Sequence, residues 1–204
     1  PSEGAMSMKA SAIINTFPLG FPWNTRDPFL FCVHHLDKFP AGNSEMGPPK
    51  EALKGRNMGN DLTVKDGWRM YQGSRVPGFP VHPHRGFETV TVVLKGTVDH
   101  ADSLGAAGRY GGGDTQWMTA GSGIQHAEMF PLVHTDKENT MELFQIWLNL
   151  PASSKFAKPH YSMIWKEDAL VQTIEDENSR STTTRLISGS MGEARPPSPP
   201  PDSW

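Results

Sequence analysis

Cysteine is almost absent: Cys32 is the only one in 204 residues. No disulfide can close within the chain, and a fold framework built for an oxidising compartment is excluded. Cys32 lies in the apolar run Phe29 to Val33 and reads as a packed side chain. Also missing is any apolar run near the ~20 residues needed to cross a bilayer as a helix, and no charged start leads into an apolar stretch as in a secretion signal. Charge of one sign is scarce too. With 19 Lys and Arg against 22 Asp and Glu and a pI near 6.3, the chain lacks the basic field that draws in nucleic acid or an anionic membrane surface. The expectation is a cytoplasmic monomer, nuclear if the source is eukaryotic, with no direct nucleic-acid contact and no membrane. Helical periodicity of useful length is lacking as well.

What is present is a chain able to bury a core, 36% apolar before its 20 glycines are counted, and long enough for one domain plus extras. Up to about Thr25 small residues, Gly and Pro mix without period. Pro28 to Leu36 is a dense apolar run with strand-like bounds, and Pro40 to Asp66 reads as one long irregular excursion with Met46, Leu53 and Met58 as isolated anchors. Loops of that length tend to cover or line something. From Trp68 onward, short β-rich runs are separated by Gly-centred turns, the texture of an all-β sandwich or barrel. Phe87 to Leu94 alternates, with Glu88, Val90, Val92 and Leu94 on one face and Thr89, Thr91 and Val93 on the other. Thr115 to Thr119 and Met141 to Leu150 are further strands, the second with Phe144, Ile146, Leu148 and Leu150 on one face. The chain begins at Pro1, and Pro196 to Trp204 holds five prolines in nine residues, the texture of a linker in a longer protein.

Two short motifs carry the chemistry. In Gly78-Phe-Pro-Val-His82-Pro83-His84 the histidines are two apart, and on an extended backbone that spacing aims both imidazoles to one side. Pro83 biases His82 towards extended geometry. After the turn Gly121-Ser122-Gly123, His126 and Glu128 repeat the spacing. Taken alone, His-x-His also fits surface histidines, and Glu128 fits a solvated strand residue. Two antiparallel strands bearing one pair each would bring three imidazoles and a carboxylate around one ion. Such nitrogen-rich ligation with a carboxylate suits Fe, Cu, Ni or Zn, and open positions suit non-haem Fe(II) oxygen chemistry.

The runs GFPVHPHRGFETVTV (78 to 92) and GDTQWMTAGSGIQHAEM (113 to 129) resemble the pirin family of the cupin superfamily, and FQIWLNL (144 to 150) resembles the strand that closes the first barrel in pirins. The resemblance implies a cupin-type β-barrel, a double-stranded β-helix or jelly roll with long loops. It places the metal ligands at His82, His84, His126 and Glu128 and takes Glu88 out of the ligand role that this position has in many cupins. The general cupin pattern is met loosely, Gly96 lying one residue late. Pirins pair two such barrels, so the implied organisation is an entry segment over 1–25, a metal-bearing N-terminal barrel over 26–155, and a linker with the start of a truncated second cupin domain over 156–204. Tyr161 to Trp204 should then lack most of its packing partners and leave apolar surface exposed.

By the same resemblance the metal is one mononuclear ion, Fe(II) first, with Cu, Ni, Zn or Mn as alternatives. The activity is that of quercetin 2,3-dioxygenases, which open a flavonol ring with dioxygen and release carbon monoxide. The partners are then a flat aromatic, flavonol-like substrate and dioxygen, with Glu128 as both ligand and proton acceptor. The alternative is a metal- and redox-dependent interaction protein that binds a transcription partner without turnover; no basic cluster distinguishes it. Arg85 and Glu88 read as supports of the metal motif or as an ion pair, and Trp117, Met118, Phe87 and Phe130 as core or pocket wall. His34 and His35 read as one exposed and one buried, and His100, His134 and His160 as surface residues.

Overall fold

The computed structural model describes residues 15–191, 198 and 200–203. The earliest part of the entry segment and much of the proline-rich end lie outside them. Among the described residues the chain is built from strands and two short 3₁₀ turns, Lys50–Leu53 and Ala152–Ser154. In chain order the strands are β1 (Phe29–Phe39), β2 (Gly78–His84), β3 (Phe87–Lys95), β4 (Thr97–Asp102), β5 (Ala107–Gly111), β6 (Thr115–Thr119), β7 (Ile124–Met129), β8 (Asn139–Asn149), β9 (His160–Ile164), β10 (Leu170–Glu175) and β11 (Ser181–Leu186). One antiparallel sheet runs β1-β8-β3-β6-β9 and a second runs β2-β7-β4-β5, with β10-β11 a separate hairpin. Two facing antiparallel sheets joined by Gly-centred turns make the cupin-type barrel.

The period-2 pattern explains why these segments are strands. In β1 the odd residues Val33, His35, Asp37 and Phe39 are buried while Leu36 and Lys38 are exposed, so one face of the strand carries the cost of leaving water and the other stays wet. The strand runs three residues beyond the expected Leu36. Phe39, Trp68, Met70, Tyr71, Val93 and Leu143 belong to one buried core cluster. Burying side chains of this size stabilises by about 1.5–3 kcal/mol each.

Two expectations need correction. The 40–66 excursion is not held by its methionines, since Met46 and Met58 are exposed. Leu53 does pack against the core, and beside it stands Arg56, whose guanidinium lies 3.3 Å over the Trp68 ring and reaches Asp61 at 3.0 Å and the Trp68 carbonyl at 3.0 Å. Regular strand structure resumes only at Gly78, because the segment from Asp61 to Tyr71 forms isolated bridges instead. On β8 the even residues share a face as the alternation implies, and it is the outer one, where Phe144 meets Trp23 and His34. The inward residues are Leu143, Gln145 and Trp147, which line the cavity.

β9 hydrogen-bonds to β6 along Thr115↔Ile164 to Thr119↔His160, so the first sheet takes a strand from beyond residue 155. The hairpin that follows leaves Val171 and Ile174 exposed. Cys32 is buried and free, and no helix among the described residues is long and apolar enough to cross a membrane.

Candidate metal centre

The two i, i+2 motifs fall on neighbouring strands, β2 and β7, with His82 directly opposite His126 and His84 opposite Ile124. Pro80 has no N–H to give the ladder, and the register slips by one residue between Phe79 and His82, a bulge that sets the approach to the His pair. Gly78 makes the strand start possible. It sits at φ +130°, where a Cβ would fall 2.5 Å from the Glu128 carbonyl oxygen. The outcome is a cluster in which the ligating nitrogens of His82, His84 and His126 all lie within 4.8 Å of one another. Ring centroids are 4.6 to 4.9 Å apart.

Glu128 borders this cluster. Its Oε2 is 3.8 Å from His126 Nε2, while its Oε1 accepts a hydrogen bond from the Thr91 hydroxyl at 3.1 Å across the barrel. His82 is oriented by Nδ1, which is 2.8 Å from the Pro80 carbonyl and therefore donates to it, leaving Nε2 as the lone pair. Burial pushes His84 down to about 4 and His126 down to about 2, with the neighbouring imidazoles adding to the effect. Both rings are neutral near pH 7, the form that binds a metal. Burial pushes Glu128 up to about 7, against the opposing pull of the Thr91 hydrogen bond.

His126 Nε2 is buried and has no hydrogen-bond partner among the described residues. A buried nitrogen left in that state costs about 1–3 kcal/mol, and a cation held by three imidazoles removes that cost. The donor set therefore fits a transition-metal ion of the His-carboxylate type.

Some expected residues stand elsewhere. Glu88 is fully buried but takes hydrogen bonds from Thr119 at 2.7 Å and Ser203 at 2.5 Å, so it braces the outer face of β3. Arg85 is exposed, with its guanidinium over Phe156. Met118 is core, while Phe87 and Phe130 line the cavity. His35 is the buried member of its pair and contacts Tyr71 Oη at 2.7 Å. His134 is exposed and His160 half-buried.

His100 overturns its surface reading. It is 3% exposed, its Nδ1 is 3.4 Å from His126 Nδ1, and its Nε2 is 2.9 Å from Asp102 Oδ2. Strand β4 pairs with β7 so that His100 faces Glu128 and Asp102 faces His126. The signal was available: His100-x-Asp102 has the same i, i+2 spacing as the two motifs.

The site opens into a cavity of about 1040 Å³ whose wall is mainly apolar and aromatic, with Phe31, Phe79, Phe87, Phe130 and Trp147 around His82, His84 and Glu128.

Comparison with known proteins gives consistent matches. The Pirin family model matches residues 23–148. A Pseudomonas aeruginosa protein that carries the provisional name quercetin 2,3-dioxygenase is 44% identical over 120 residues, 59% of this chain and 41% of that protein. Human Pirin is 41% identical over 120 residues, 58% of this chain and 38% of its own length. The crystal structure of an Acinetobacter baumannii quercetin 2,3-dioxygenase superposes with a TM-score of 0.61 at 29% identity, covering 83% of this chain and 48% of that one. The chain thus spans less than half the length of each of these relatives.

Proposed function

The chain belongs to the pirin family, and from that premise we propose that it binds one metal ion, Fe(II) first, through His82, His84, His126 and Glu128 and supports ring-opening dioxygenation of a flavonol. The observation that carries the reading is the buried, unpartnered Nε2 of His126 beside two further imidazoles and a carboxylate. The names borne by the Pseudomonas and Acinetobacter proteins support the substrate class. When bound, the metal supplies Lewis acidity towards a substrate hydroxyl and a place for dioxygen.

The chain's own residues supply the rest. The aromatic wall formed by Phe79, Phe87, Phe130 and Trp147 takes a flat ring system and excludes water from it. Glu128, buried beside the histidine cluster and lining the cavity, is the group placed to accept the proton of a phenol bound there. Thr91 holds one carboxylate oxygen and leaves the other directed to the histidine cluster.

The test is anaerobic Fe(II) loading of the chain, then an aerobic quercetin assay that follows flavonol loss and carbon monoxide together. Release of carbon monoxide, lost in Glu128→Ala, is the expected result. Bound iron with no turnover would favour the metal-dependent interaction protein, and no bound iron would overturn both readings.

A further inference from the structure

We propose that His100 and Asp102 are positioning residues that select the tautomer of His126, holding its proton on Nδ1 and keeping the Nε2 lone pair free for a cation. The inference rests on the metal-binding reading for its purpose, but not for its geometry.

The chain of hydrogen bonds is directional from its far end. Asp102 Oδ1 accepts the backbone N–H groups of Leu104 at 2.8 Å and Ala106 at 3.2 Å, so the turn after β4 locks the carboxylate in place. Its Oδ2, an acceptor, lies 2.9 Å from His100 Nε2, which must therefore carry a proton. We take His100 as the neutral ring, so that Nδ1 is a lone pair. It faces His126 Nδ1 at 3.4 Å, and His126 Nδ1 is then the donor. That leaves His126 Nε2 unprotonated, the buried atom with no partner that sits 3.8 Å from Glu128 Oε2.

Metal-binding histidines commonly fix their tautomer by donating the second ring nitrogen's proton to a carbonyl or carboxylate. His82 does so to the Pro80 carbonyl. At His126 the acceptor is another imidazole, whose polarity is set one step further out. The register makes this possible, because β4 presents His100 and Asp102 on the inward face, opposite Glu128 and His126.

Asp102→Asn is the informative variant, because it keeps the shape and reverses the polarity. The amide oxygen retains the N–H groups of Leu104 and Ala106, so the amide nitrogen takes the place of Oδ2 and donates to His100 Nε2. His100 then carries its proton on Nδ1, His126 Nδ1 becomes the acceptor, and His126 Nε2 is protonated and closed to a metal. His100→Leu removes the relay without imposing a tautomer and should cost less.

The experiment combines the ring ¹⁵N shifts of His126 in the metal-free 204-residue chain with Co(II) affinity measured against a competing chelator. Expected are Nδ1–H in the wild type and Nε2–H in Asp102→Asn, with Co(II) affinity of the latter falling ~10–100-fold. In the double variant affinity should return to the His100→Leu level, since nothing then transmits the reversed polarity. A purely structural or charge role for Asp102 would instead make the two losses add. Nε2–H in the wild type, unchanged affinity in Asp102→Asn, or additive losses would each overturn the proposal. Wild-type chain with His126 as Nδ1–H that fails to bind Co(II) would overturn the metal reading and leave the tautomer assignment standing.

Discussion

Lowering the pH from 7 to 5 should destabilise the metal-free chain, and the size of the effect follows from its buried ionisable groups. His35, His84 and His126 are each at most 7% exposed, and burial pushes them down to about 3, 4 and 2, with Arg69 and His34 adding to the effect at His35. Unfolded, each returns to the ordinary value of 6.5 and takes up a proton that the folded chain refuses. Stability therefore falls as pH drops below 6.5 and keeps falling towards the folded values. A fully developed slope is about 1.4 kcal/mol per pH unit per group, which comes to roughly 2 kcal/mol per histidine over this interval. Glu128 acts with the opposite sign. Raised to about 7 from an ordinary 4.5, it takes up its proton first in the folded chain and returns roughly 2 kcal/mol over the same interval. The carboxylates with lowered values, Asp102 and Glu142, lose their contribution only at lower pH. The net expectation is a loss of about 3–4 kcal/mol, read by urea unfolding of the chelator-treated chain at the two pH values. Equal or greater stability at pH 5 would refute the burial of neutral imidazoles on which the site depends.

Other perturbations follow the same logic. His126→Ala should lower metal affinity by about tenfold or more, while His134→Ala, an exposed position, should leave metal content unchanged by elemental analysis. Arg69→Met should destabilise by about 3–5 kcal/mol in urea, because Asp37 is fully buried and loses both 3.0 Å bonds to the guanidinium. Gly78→Ala should cost roughly 1–3 kcal/mol from overpacking alone, and should weaken metal binding as well, since the new Cβ presses on the backbone of Glu128 and Met129.

The parts of the site legible in the sequence are those decided by local backbone geometry. His82 and His84, or His126 and Glu128, must share a face of any strand that contains them, and the Gly-rich turns between short β runs mark a barrel before any contact is known. What was not legible depends on register between strands. His100 reads as a surface residue because only the pairing of β4 with β7 brings it beneath His126. The alternation of Phe144, Ile146 and Leu148 puts them on one face without saying which; the entry segment at Trp23 helps cover that side, and the inward face belongs to Leu143, Gln145 and Trp147. Arg56 lies in the irregular 40–66 excursion, where nothing local marks it as buried. The Trp68 ring and the Asp61 carboxylate that make its burial tolerable approach it only in the folded chain.

The central claim is that one metal ion is held by His82, His84, His126 and Glu128. X-ray absorption at the iron edge of the anaerobically loaded chain, with iron content measured on the same sample, addresses it directly. The account requires about one iron per chain, as expected of a single non-haem site with open positions, with scattering from three imidazoles and an oxygen ligand. Absence of bound iron, or a spectrum without imidazole scattering, would contradict it.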